Sequence, residues 1–218
     1  MQQKAAVGEI YHVFTKSIAG YVIFNNTREY LRMVETISYY RQLRPPVSYS
    51  QLMRPRKTDT RRKRKTEEPD DFERRVEIIA YCLMPTHLHL ILLQKTENGV
   101  AKFMSDCLNS YVRYFNIRHK RKGPLWQGRY KKVHVESDTQ LLHLTRYLHL
   151  NPVTEKLVDQ AGKWPASSYG EYIAPGEKEG LCEFKDLIEV QPKAYAEFIS
   201  ERISYQRKLK EIRELIME

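Results

Sequence analysis

Apolar residues recur along this chain with two different periods, and the change of period marks out its elements. Ile10-Tyr11-His12-Val13-Phe14 is a short strand candidate. From about Thr27 to Tyr40 the residues Tyr30, Leu31, Val34 and Ile37 recur at helical spacing, with Thr27 a candidate cap. Pro45 and Pro46 stop any helix there. The apolar signal returns at Val76 to Leu83 as a second strand, broken by Met84-Pro85-Thr86. His87 to Leu93 is a third strand, with Leu88, Leu90 and Leu92 on one face and His87, His89 and Ile91 on the other. The two runs read as a hairpin. Asn98-Gly99 is a turn signal, and Phe103, Leu108, Tyr111 and Phe115 stripe a helix from Val100 to about His119. Gly123-Pro124 closes that region. Val133 to Glu136 is a short last strand. Ser137 or Asp138 opens a helix reaching about Leu150, and Pro152 favours its termination. Residues 159–190 read as irregular, and 192–217 as a polar, weakly amphipathic helix with few core-grade positions.

The first six elements follow a β-α-β-β-α-β order, which predicts an α+β fold with an antiparallel sheet and helices on one face. No internal repeat interrupts it. One stretch departs from this pattern. From Arg54 to Lys65 eight of twelve residues are Arg or Lys, and Glu67 to Glu73 is acidic. Such a segment cannot bury itself, so residues 44–75 read as an exposed insertion.

Composition narrows the function classes. The chain has 218 residues, 41% of them hydrophobic, which is enough for a real core. A net charge of +10 points to a polyanionic partner. No run of 18 apolar residues exists, so no membrane span is predicted. The first residues, MQQKAAVGEIYHVF, do not read as an export signal, and Cys82, Cys107 and Cys182 are sparse and odd in number. Reduced thiols and a cytoplasmic location are expected. No phosphate-binding glycine loop, dinucleotide fingerprint or paired CxxC occurs, which disfavours an ATPase, a dinucleotide enzyme and a zinc finger.

Three features carry chemistry. In His87-Leu88-His89 both imidazoles project from one face of a strand, a geometry suited to two ligands on one metal ion. By spacing alone they could equally be one buried and one exposed histidine. Tyr147 and Asn151 are four apart, with His143 four before Tyr147, so all three can share a helix face. An amide carbonyl can ligate a metal and a phenol can attack phosphorus. Yet one tyrosine of 15 could simply be packed, and Asn151 could cap the helix. The third feature is a basic block free of acidic residues. Arg113, Arg118, Lys120, Arg121, Lys122, Arg129, Lys131 and Lys132 are interleaved with aromatics including Trp126 and Tyr130. Cations neutralise phosphates and rings stack on unpaired bases. A solvated face above a packed core would read the same.

Together these residues carry a resemblance. YCLMPTHLHLIL (Tyr81 to Leu92) resembles the histidine motif of the IS200-like transposases, and most of all that of their REP-associated tyrosine transposase relatives. NSYVRYFNIRHKRKGPLWQGRYK (Asn109 to Lys131) is similar to the family's basic aromatic block. LLHLTRYLHLNPV (Leu141 to Val153) resembles the helix carrying its nucleophile, and WPASSY (Trp164 to Tyr169) a segment just beyond. These blocks span roughly residues 8–172, and 173–218 are left as a C-terminal helical extension. The resemblance implies a ferredoxin-like fold, often dimeric, that binds single-stranded or hairpin DNA with Mg²⁺ or Mn²⁺. It implies His87, His89 and Asn151 as metal ligands and Tyr147 as the nucleophile that cuts and rejoins DNA through a 5′-phosphotyrosine. The basic block would hold the strand. Where the family often has an Asn-Arg-Gly-like segment after its first strand, this chain reads Thr15-Lys16-Ser17. The alternatives are a non-catalytic hairpin-binding descendant, an RNA-binding module of similar element order, and a replication initiator or relaxase.

Overall fold

We describe the protein from a computed structural model, in which residues 5–54, 73–176 and 180–203 are described. Most of the basic and acidic stretch at 54–73, and residues 204–217 of the terminal helix expected from sequence, lie outside them. Four strands, β1 (Ile10–Lys16), β2 (Val76–Met84), β3 (His87–Gln94) and β4 (Lys131–Val135), form an antiparallel sheet in the order β2-β3-β1-β4. The helices are α1 (Thr27–Tyr40), α2 (Tyr49–Leu52), α3 (Gly99–Arg118), α4 (Asp138–Thr154), α5 (Tyr169–Ile173) and α6 (Pro192–Ser200). The fold is therefore α+β, with helices flanking a four-stranded antiparallel sheet.

Local chemistry sets the element ends. Asn26, not Thr27, caps α1: its side chain accepts from the Glu29 amide, while the Glu29 carboxylate accepts from the Asn25 amide. Ser137 caps α4 through the Gln140 amide. Asn98 stands in the left-handed region at φ 56, and Gly99 follows against the Arg75 carbonyl, where a Cβ would collide with backbone. Arg75, fully buried, bonds the Gln42 carbonyl and the Asp106 carboxylate, so the chain's return into β2 is fixed against α3. Its charge is tolerated there because it is both paired and hydrogen-bonded.

Helices cover both faces of the sheet, not one. On the first face Val13, Ile78, Leu83, Leu88, Leu90 and Leu92 pack with Met33 and Ile37 of α1 and Phe103, Leu108, Tyr111 and Phe115 of α3. On the second, Ile79, Ala80, Cys82, Met84 and Ile91 meet Leu141, Leu148 and Val153 of α4, Tyr169 and Tyr172 of α5, and Tyr195 and Ile199 of α6. The reason lies in β2, which is buried at nearly every position and has apolar side chains to hide on both sides. The C-terminal segment thus supplies core residues that its polar composition did not announce. Pro152 does not end α4. It lies inside the last helical turns, and the helix continues to Thr154 with Glu155 as its C-cap. Asn151 is accordingly within the helix and does not cap it.

Candidate active site

The second face of the sheet carries the histidines. β3 alternates as its sequence implies: Leu88, Leu90 and Leu92 enter the first core, and Ile91 enters the second with His87 and His89 on the same side. Strand pairing brings further groups to this face. Phe14 lies opposite His89 and Lys16 opposite His87 across β1. His12, two residues before Phe14, bonds His89, with Nε2 3.0 Å from Nδ1. The His12 and His89 rings stack at 5.2 Å between centroids and 16° between planes, and Phe14 stacks on both. The His87 ring meets His89 edge-on at 5.2 Å, and its Nδ1 lies 3.1 Å from the Thr86 hydroxyl.

Helix α4 lies over this cluster. The Tyr147 ring stands edge-on to His89 at 5.8 Å and to His12 at 6.5 Å, within the same chain. Tyr147 is 41% exposed, whereas Asn151 one turn later is buried. The Asn151 amide nitrogen is among the buried polar atoms without a hydrogen-bond partner among the described residues. His143, one turn before Tyr147, is instead bonded to Arg146. Glu155, a further turn on, is close enough for its charge to raise the His87 pKa, which the Lys16 ammonium lowers.

Burial dominates the electrostatics. It lowers His12 to about 4 and holds His87 below the usual histidine value. His89 is driven well below that value by burial first, then by the neighbouring imidazoles of His87 and His12. All three are neutral near pH 7, the form whose nitrogen lone pair can ligate. Of the two cations, Mn²⁺ accepts imidazole nitrogen more readily than Mg²⁺, which prefers oxygen throughout, so two imidazoles and an amide carbonyl suit it better. At Asn151 the ligating atom would be the side-chain carbonyl oxygen, while the unpartnered buried atom is the NH2 group, which can only donate. Among the described residues no group of three or more His, Cys, Asp or Glu side chains could hold a metal. Any ion would need the amide, water and a phosphate oxygen to complete its shell.

The seat of α4 is built by residues with no assigned role from sequence. His149 is fully buried; its Nδ1 lies 2.7 Å from the Tyr195 hydroxyl of α6 and its Nε2 2.8 Å from the Ser168 hydroxyl before α5. Ser168 also accepts from the Tyr81 amide and donates to the Tyr81 carbonyl, so α4 is tied to β2 through it. With that proton directed at Tyr81, His149 donates from Nε2 and accepts at Nδ1. Arg146 stacks over Phe198 of α6 at 3.9 Å. Burial lowers the His149 pKa from 6.5 to about 3. In the unfolded chain it would protonate near 6.5, so its stabilising contribution is complete above that pH and is lost as pH falls towards 3. The unfolding midpoint should drop on acidification through this window, and His149→Gln should flatten part of the slope. An unchanged slope in the variant contradicts the assignment.

The basic block is divided by the fold. Arg118 and His119 bond the fully buried Glu29 carboxylate, at 3.2 and 2.7 Å, and close the end of α3 onto α1. Arg121 is spent on Asn116 and the Gly123 and Pro124 carbonyls. Trp126 packs against the first core and donates to the Leu108 carbonyl; Tyr130 also packs there. Lys132 lies over the Tyr11 ring, on the opposite face from the histidines. Lys131 lies opposite Phe14 and so shares the histidine face. Arg113, Lys120, Lys122, Arg129 and Lys131 are exposed. The loop carrying Arg129 passes the end of β1 beside His87, with the Gln127 amide on the Lys16 carbonyl. Sequence reasoning gave no role to His12, Lys16 or Thr86. The parity of β1, which sets His12 and Lys16 opposite Tyr11 and Val13, was the one available signal.

Comparison with known proteins gives a family likeness over part of the chain and a likeness of fold. The sequence profile of the family described as "Transposase IS200 like" matches residues 57–151, a span that contains His87, His89, Tyr147 and Asn151. A Haemophilus influenzae protein named as a REP-associated tyrosine transposase is 25% identical over 103 residues, 43% of this chain. The matched part spans 58% of that relative's length. A solved structure of a REP-associated tyrosine transposase bound to a REP hairpin superposes with a TM-score of 0.53, covering 87% of this chain and 97% of that one at 17% identity; it speaks for the fold. The chain is thus similar to the IS200-like transposases over residues 57–151, and to REP-associated tyrosine transposases in part of its sequence and in its fold.

Proposed function

We propose that this protein is a metal-dependent tyrosine transposase that cleaves and rejoins single-stranded DNA near a hairpin, on a ferredoxin-like β-α-β-β-α-β core. The observation that carries the reading is the approach of the Tyr147 ring to within 5.8 Å of His89 in the same chain. His87 and His89 present neutral imidazoles, and Asn151 adds an amide from the helix that bears Tyr147. A divalent cation held by these three would withdraw charge from a phosphate oxygen and stabilise the charge that grows there.

Tyr147 then attacks phosphorus in line. A Tyr147 Oη–P bond forms, the P–O3′ bond breaks, and the 3′ oxygen leaves as a hydroxyl, its proton balancing the one lost by the phenol. The 5′-phosphotyrosine conserves the phosphodiester's free energy, so a second 3′-hydroxyl can reverse the step without ATP. Tyr147 is the most exposed member of the site, as a group that must meet a strand has to be. Lys16 and Lys131 share its face of the sheet and would pair with the backbone; Arg113, Lys120, Lys122 and Arg129 extend the positive surface. A hairpin ligand is supported by the fold likeness to a transposase solved with one. Tyr147 approaches His89 within one chain, and this reading draws on no second copy.

The test uses the full chain, Mn²⁺ and a labelled hairpin flanked by single strands. We expect nicking with covalent attachment to the 5′ side, abolished by EDTA. Hairpin binding without an adduct at any Mn²⁺ concentration would favour the non-catalytic binder.

A further inference from the structure

We infer that Thr86 and His12 are positioning residues that fix the His87 and His89 rings with Nε2 free for the metal; this rests on the metal reading above. A neutral imidazole has one N–H and one lone pair, and only the lone pair can ligate. Which nitrogen is available is set by what the other one bonds. Both Nδ1 atoms are occupied here. His87 Nδ1 lies 3.1 Å from the Thr86 hydroxyl, and His89 Nδ1 lies 3.0 Å from His12 Nε2. If both Nδ1 atoms carry the proton, they donate to these partners, and both Nε2 lone pairs are left for one ion. His12 then accepts at Nε2 and keeps its own proton on Nδ1.

The two partners are themselves held. His12 is clamped by ring stacking, 5.0 Å from Phe14 and 5.2 Å from His89. Thr86 sits in the β2–β3 turn, whose backbone is pinned: the Ser17 amide bonds the Thr86 carbonyl, and the Ile23 amide bonds the Pro85 carbonyl at 2.8 Å each. The segment running on from β1 therefore fixes one histidine's partner, and β1 itself supplies the other's. A metal site with only two histidines depends strongly on the angle of each, because no third imidazole corrects an error in either.

The experiment measures Mn²⁺ affinity of the full chain by calorimetry without DNA, beside its melting temperature in EDTA. His12→Phe keeps the stack and removes the acceptor; Thr86→Val keeps the shape and removes the hydroxyl. Each should weaken Mn²⁺ by about 10–100-fold, with little change in melting. His12→Gln and Thr86→Ser, which retain an acceptor, should recover part of the loss. Affinities in His12→Phe and Thr86→Val equal to the parent's would overturn the inference. If the parent itself bound no Mn²⁺, and behaved as His87→Ala does, the metal reading would fall with it. Should a variant not fold, nitrogen-15 spectra of the unsubstituted protein decide the matter. Protons on Nδ1 of His87 and His89 are expected, and a proton on Nε2 of either contradicts the assignment.

Discussion

Tyr147→Phe should abolish the covalent adduct and reduce cleavage by at least about 10⁴-fold, as loss of a nucleophile does elsewhere. The substitution is narrow. Phenylalanine keeps the edge-on contacts of the ring with His89 and His12 and loses one oxygen. Hairpin affinity and melting temperature should therefore stay near the parent's values. The contrast is Tyr111→Phe. Tyr111 is fully buried on the other face of the sheet and donates to the Ile23 carbonyl at 2.6 Å. Its loss should cost about 1 kcal/mol of stability and leave the chemistry intact. Adduct formation by the Tyr147 variant, read on a denaturing gel, would remove Tyr147 from the mechanism.

His149→Ala should be the most damaging change remote from the reacting atoms. It empties a fully buried site and leaves the Tyr195 hydroxyl and the Ser168 proton network short of a partner. A cavity and unsatisfied polar groups together predict a loss of about 3–5 kcal/mol. For a chain of this size that lowers the melting temperature by about 6–20 °C. The effect should be selective. His87 and His89 stand on β3, which this change does not touch, whereas Tyr147 stands on the helix that His149 seats. Below the new melting point, cleavage should fall by more than hairpin affinity. Equal losses in both would mean that α4 is seated by its apolar contacts alone.

Much of the site was legible because a strand's period is strict. Once His87 to Leu93 is read as alternating, the histidines must lie opposite Leu88, Leu90 and Leu92, and the two separate cores reproduce that division. The four-residue spacing of Tyr147 and Asn151 was legible for the same reason on a helix. What could not be read locally were partners fixed by pairing over long distances. His12 and His89 are 77 residues apart, and only the β1–β3 register brings them together. The continuous apolar run of β2 signalled burial on both faces, but not that α4, α5 and α6 would supply the second cover. A helix with few core-grade positions was expected in the tail, but not its docking, for which two buried side chains, Tyr195 and Ile199, suffice. The basic block misled in the other direction. Its charges look equivalent in sequence, yet Arg118 is committed to Glu29, Arg121 to its own loop, and Lys132 to the opposite face.

The central claim is that this site attacks DNA with one particular oxygen. The covalent complex can be trapped with Mn²⁺ and a hairpin substrate, digested with nuclease and trypsin, and mapped by mass spectrometry. Cleavage after Arg146 and Lys156 releases a peptide, Tyr147 to Lys156, that contains a single tyrosine. The account predicts a nucleotide joined through its 5′ phosphate to that peptide. A nucleotide on any other tyrosine, with the Tyr147 peptide unmodified, would contradict it.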